Sequence, residues 1–150
     1  MFAQRLTFVA FALTFYCLGT TYFEAFVNYR TWGYVGSLEF PSYHRALTPL
    51  VVKVMLIPIA VYVVCLIALV ALRETLVPRF ALLASLALVL VAVLSSVFIQ
   101  IPIQRVFDRD GLSAALLQRL ITTDLALRKV PLGLNALLWL IVFWRRSVVF

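Results

Sequence analysis

Four apolar runs, residues 6–26, 50–72, 80–101 and 130–144, constrain this chain more than any other feature. A helix needs about 20 mostly apolar residues to cross the hydrocarbon of a bilayer. Three runs meet that length. The fourth meets it only when its helix starts near Asp124. The runs predict helices over 6–26, 42–72, 80–101 and 124–144, with Pro41 in the first turn of the second, a position proline tolerates. Pro49 and Pro58 should bend that helix, and the carbonyls they free need partners from neighbouring helices or water. The fold class expected is all-α: an integral membrane four-helix bundle in one domain spanning 1–150. A short amphipathic helix at 112–121, in the third loop, is expected to lie along the interface.

Composition agrees, with 65% hydrophobic and 13% charged residues, against about 45–50% and 25% in ordinary soluble domains. The net charge of +7 would suggest nucleic acid in a soluble protein. Here the basic residues flank apolar runs, so topology and anionic headgroups account for them and no nucleic acid partner is expected. The first run is longer than the roughly 7–15 residues of a signal-peptide core, so it reads as a retained helix. Cys17 and Cys65 lie at depths about 9 Å apart on helical rise, beyond the ~7 Å reach of a disulfide.

The loops are unequal. The 73–79 turn is tiny, whereas the 27–49 and 102–129 loops are long and emerge on one face. Orientation is finely balanced. Arg5, Arg73, Arg79, Arg145 and Arg146 flank one face, with Glu74. Arg30, Arg45, Lys53, Arg105, Arg109, Arg119, Arg128 and Lys129 belong to the other, with five acids. A raw count makes the second face cytoplasmic, but the first packs its arginines into very short flanks. The preferred reading puts both termini in the cytoplasm, in a bacterial inner membrane.

Polar residues gather at the long-loop end. Residues four apart share a helix face. Thr20, Glu24 and Asn28 form one stripe, Ser96, Gln100 and Gln104 another. The second helix contributes His44 and Thr48; the fourth contributes Asp124, Arg128 and Asn135. The opposite half reads as nearly pure Leu, Val, Ala and Phe. Charges near lipid are costly and usually face the bundle interior in pairs, so a shared polar pocket is expected. Glu24, Gln100, Gln104 and Arg128 should point inward, with Arg128 paired to Asp124 or Glu24. Helix-end pairing or interhelical hydrogen bonding explains the same residues without a ligand. Lys129 is expected to snorkel to headgroups, so that Lys129→Ala has almost no effect. Lys53 either snorkels or joins the pocket.

His44 is the only histidine. It excludes bis-His haem and His-rich zinc sites, and no cofactor or metal is expected. General acid–base work suits it, with Glu24 the other candidate base. Asn28, Gln100, Gln104, Asp124, Arg128 and Asn135 are candidate binding residues. The aromatic residues Tyr22, Phe23, Phe26, Tyr29, Trp32, Tyr34, Phe40 and Tyr43 read as an interfacial belt, although they would also suit an aromatic ligand.

The stretch Ile101-Pro102-Ile103-Gln104, ending the third helix, and Asp124 to Arg128, opening the fourth, resemble the small four-helix membrane family related to anthrone oxygenases, whose bacterial members are mostly uncharacterised. Pro102, Gln104 and Arg128 match; Gln104 stands where the family usually has asparagine, and Thr123 and Asp124 where it often has Trp and His. The resemblance implies oxidation of an aromatic substrate by O₂ without metal or flavin. His44 or Glu24 would then be the base, with Arg128, Gln100 and Gln104 steadying an oxyanion. Whether the chain is an enzyme stays open. The function expected is binding or oxidation of a small lipophilic or aromatic molecule at a polar pocket. Lipids, that molecule and other membrane subunits are the partners considered, and the alternative is a non-catalytic accessory subunit of a larger membrane complex. A translocation path is disfavoured because the other half offers no polar continuation.

Overall fold

The computed structural model describes residues 2–72 and 76–147. Arg73 and Glu74, which enter the charge count above, lie outside them. Among the described residues, four helices are long and apolar enough to cross a membrane: α1 (Phe2–Tyr34), α2 (Phe40–Ala71), α3 (Arg79–Asp110) and α4 (Ala114–Arg146). Each packs on its sequence neighbour, and α4 returns to α1, an up-down-up-down bundle. Phe143 meets Phe8 and Phe11 with ring centroids 6.1 and 4.5 Å apart, so the two ends of the chain share one face. Cys17 and Cys65 are free thiols.

The helices run longer than the apolar runs, and the separate interfacial helix is not seen. Residues 112–121 fall mostly in the first third of α4, which Ser113 caps by accepting from the Leu116 N–H at 3.5 Å. Gly111, with φ of 87°, turns the chain out of α3. At about 1.5 Å per residue each helix is close to 50 Å long, against about 30 Å of hydrocarbon. The excess carries the exposed cations Arg30, Arg45, Arg105, Arg109 and Arg119, so it stands outside the lipid. The apolar-run criterion therefore ends before the helix does.

Each helix contains one five-residue wide (π) turn: Glu24–Asn28, Val52–Leu56, Ser96–Gln100 and Leu125–Lys129. In three of them a proline follows two residues later, Pro58, Pro102 and Pro131. Proline lacks the N–H that would close an ordinary turn and its ring crowds the carbonyl four residues back. For Pro131 that carbonyl belongs to Leu127, and Ser95 of α3 donates to it at 3.3 Å. A neighbouring helix thus satisfies a backbone group that lipid could not.

The wide turns mark a boundary between two cores. On the terminal side, Cys17, Tyr62, Leu66, Leu69, Leu82, Val89, Leu132 and Trp139 pack together. On the loop side lies an aromatic cap of Tyr29, Trp32, Phe40 and Phe107 with Ile103 and Leu120. The aromatic belt expected from sequence is thereby divided. Phe23 and Tyr34 are exposed, while Tyr29, Trp32 and Phe40 are 2% exposed or less and form this cap. Nineteen residues separate Arg5 from Glu24 and twenty-one separate Arg79 from Gln100. Those spacings are about 28 and 31 Å of helix, one hydrocarbon thickness. The wide turns therefore sit at the membrane boundary opposite the termini. Cysteines placed at Pro78 and Arg145 should label with an impermeant maleimide from the same side, and at Arg109 from the other. Labelling of Pro78 and Arg145 from opposite sides would end the four-span description.

Candidate functional site

At the wide turns the helices bring four charges into one line. Arg128 Nη2 donates to Glu24 Oε2 at 3.3 Å. Its Nη1 lies 2.9 Å from Asp124 Oδ1, an ionic contact, since that oxygen receives no well-directed hydrogen bond. Asp124 Oδ2 accepts from Lys129 Nζ, and the ammonium stands 5.9 Å from the Tyr29 ring centroid. Glu24 and Asp124 are 2% and 0% exposed, Arg128 and Lys129 9% and 4%. Two carboxylates and two cations alternate, so the line is formally neutral.

The order of the line follows from the backbone. Asp124 and Arg128 are four apart, as an α-helix requires for two side chains on one face. Asp124 and Lys129 are five apart, a spacing that α geometry turns away and the Leu125–Lys129 wide turn brings back into register. The expectation that Lys129 snorkels is thus corrected: it is buried and paired. Lys53, by contrast, is exposed.

The other candidate residues are distributed more widely. Gln100 is 1% exposed, and neither amide atom has a partner among the described residues. Gln104 is half-buried in a groove between α2 and α3, beside Thr48 and Arg105. Asn28 is half-buried and, with Glu24, lines a cavity of about 160 Å³ between α1 and α2. His44 belongs to the aromatic cap. Its Nδ1 is 2.7 Å from Asp108 Oδ1, and its ring lies 5.0 Å from that of Trp32 and 5.7 Å from that of Phe40. It fastens α2 to α3. Among the described residues no cluster of three or more His, Cys, Asp or Glu could hold a metal ion.

Asn135 lies deeper, in a second polar network that sequence reasoning missed. Trp139 Nε1 donates to Ser85 Oγ at 2.9 Å, and Ser85 donates to Asn135 Oδ1 at 2.6 Å. Asn135 Nδ2 donates to Tyr62 Oη at 2.8 Å, and Thr14 Oγ1 lies 2.7 Å from the same oxygen. All four helices contribute, so the half of the bundle read as nearly pure Leu, Val, Ala and Phe holds a polar layer of its own. A signal was present: Thr7, Ala10, Thr14, Cys17, Thr21 and Glu24 alternate spacings of three and four, the seam of a packed helix, and apart from Cys17, at 3%, each is 2% exposed or less. A void of about 20 Å³ lies between the two polar layers, touched by Thr21, Met55, Ser96 and Arg128. It is large enough for one water.

No family model, curated protein or solved structure matches this chain. What the fold supports of the resemblance noted above is its coarse layout, four apolar helices in a small membrane bundle.

Proposed function

We propose that the chain binds a small neutral lipophile bearing a hydroxyl or phenol group, admitted from the lipid between α1 and α2. The supporting observation is the double position of Glu24. It holds Arg128 with one oxygen and lines the 160 Å³ cavity, whose other walls are mainly apolar, including Leu47, Val51, Val54 and Met55. An apolar hollow with a few converging polar groups is the usual form of a small-molecule site. Phe23, Leu50 and Val54 at its rim are exposed on the outer face of the bundle, toward lipid. Because the ionic line is neutral, a cationic ligand would unbalance it. A hydroxyl donor matches the carboxylate lone pairs that Arg128 leaves.

Size narrows the ligand further. A dry cavity of about 150 Å³ admits benzene, so this one suits a single ring or a branched isoprene unit; a three-ring anthrone is larger. Oxidation of an aromatic ligand, which the resemblance implies, would fall to Glu24 as base, because His44 does not line this cavity. The cavity also ranks binding above a purely accessory role. Arg5, Arg79, Arg145 and Arg146, close to the helix ends, favour cytoplasmic termini in a bacterial inner membrane.

Thermal unfolding in dodecyl maltoside tests the reading. p-Cresol should raise the midpoint more than toluene does, and Val51→Trp, which fills the cavity, should abolish the p-cresol effect. Equal shifts from both compounds, or an undiminished p-cresol shift in Val51→Trp, would refute it.

A further inference from the structure

The groove between α2 and α3, which runs from the loop side into the α2 wide turn, carries three cations that the ionic line does not use. Two adjoining hollows of about 680 and 240 Å³ share Thr48, Val52 and Asp108. Arg45 and Lys53 border the first, and Arg105 borders the second. All three side chains are exposed. Among the described residues, no carboxylate forms an ion pair with any of them. Arg45 gives one N–H to the Asp108 carbonyl at 3.0 Å, which fixes the guanidinium and leaves the rest of its five donors. The acid lining both hollows, Asp108, has one carboxylate oxygen, Oδ1, on His44 Nδ1.

We propose that this groove binds one anionic phospholipid, its phosphate held among Arg45, Lys53 and Arg105. Depth and shape select a lipid over a soluble anion. Lys53 lies nineteen residues before Leu72 at the far end of the span, about 28 Å of helix, at the edge of the hydrocarbon, from which its long stem reaches the phosphates of one leaflet. Below the cations the surface turns apolar. Val52 and Ile57 line the first hollow, and Ile57, Val61 and Val64 continue down α2, 53%, 46% and 65% exposed, a track for an acyl chain. A free phosphate makes no use of that track. The site lies on α2 and α3; Val51 borders both it and the α1–α2 cavity, but none of the three cations lines that cavity.

Native mass spectrometry of the full chain in mild detergent, titrated with dioleoyl phosphatidylglycerol or dioleoyl phosphatidylcholine, tests the proposal. Phosphatidylglycerol should bind at least about tenfold more tightly, since each cation near the surface contributes roughly fivefold. Lys53→Gln and Arg105→Gln, which sever no ion pair, should each reduce that preference several-fold, and Arg45→Gln/Lys53→Gln/Arg105→Gln should remove it. Arg119→Gln, a cation elsewhere on the same face, should leave it unchanged. Equal binding of the two lipids would overturn the proposal, as would a preference that survives the triple substitution. Glycerol 3-phosphate displacing phosphatidylglycerol at equal concentration would overturn the lipid as occupant, because the apolar track would then contribute nothing.

Discussion

Arg128→Ala should lower the unfolding free energy in detergent by about 3–5 kcal/mol, the usual cost of breaking a buried pair by removing one partner. The guanidinium serves two carboxylates that are almost fully buried, Glu24 and Asp124. Its loss leaves Glu24 without a counter-charge and Asp124 with Lys129 alone. Lys129→Ala should also be costly, because Lys129 Nζ holds the other Asp124 oxygen. That outcome is opposite to the one sequence spacing suggests. Arg128→Lys keeps the charge but lacks the planar fork that spans both acids, so it should fall between wild type and alanine. The decisive variant is Arg128→Met/Glu24→Gln, which removes one charge of each sign and should recover most of the loss. Losses below about 0.5 kcal/mol for both alanine variants, the range of ordinary surface substitutions, would mean that water solvates these charges and that the line is not a buried unit.

The contrast between Arg128 and Lys129 shows where sequence reasoning stops. Four helices, their order and the polarised end of the bundle are legible in apolar runs, because lipid imposes a length and a composition. Inward placement of Glu24 and Arg128 is legible from α periodicity. Lys129 is not, because its partner is reached across a wide turn whose register differs from that of an α-helix. The prolines two residues past three of the wide turns carry part of that information, but α1 has a wide turn and no proline. The amphipathic pattern at 112–121 announces a helix, but its continuity with the fourth span is hidden for another reason. Residues 114–124 fold as helix outside the hydrocarbon, where Gln118 and Arg119 face water and Leu120 and Asp124 face inward, so no long apolar run announces them.

The second network was hidden because each of its members stands alone in an apolar run, and only the mutual register of four helices brings them together. Its stability should be cooperative. Proton counting gives it a single direction. Thr14 Oγ1 is 2.9 Å from the Ala10 carbonyl, which can only accept, so the one threonine proton goes there and Tyr62 donates to Thr14. The chain then runs from the Trp139 indole through Ser85, Asn135, Tyr62 and Thr14 to the Ala10 carbonyl, using the indole proton, the three hydroxyl protons and one of the two Asn135 amide protons. Tyr62→Phe interrupts it in the middle. Asn135 loses an acceptor and Thr14 loses a donor, at 0% and 1% exposure. The expected cost is about 1–3 kcal/mol, that of a buried polar group left without its partner, and above the ~0.6 kcal/mol average for single interhelical hydrogen bonds in membranes. Asn135→Ala should cost a similar amount, softened because Ser85 Oγ and Tyr62 Oη, 3.2 Å apart, can bond each other directly. Once either residue is gone, losing the other should matter less. A double-mutant cycle on Tyr62→Phe and Asn135→Ala, read by denaturant unfolding in detergent, should give a coupling of about 0.5–2 kcal/mol. Effects that add within about 0.3 kcal/mol would show that the five side chains act separately, and the directional chain would have to be abandoned.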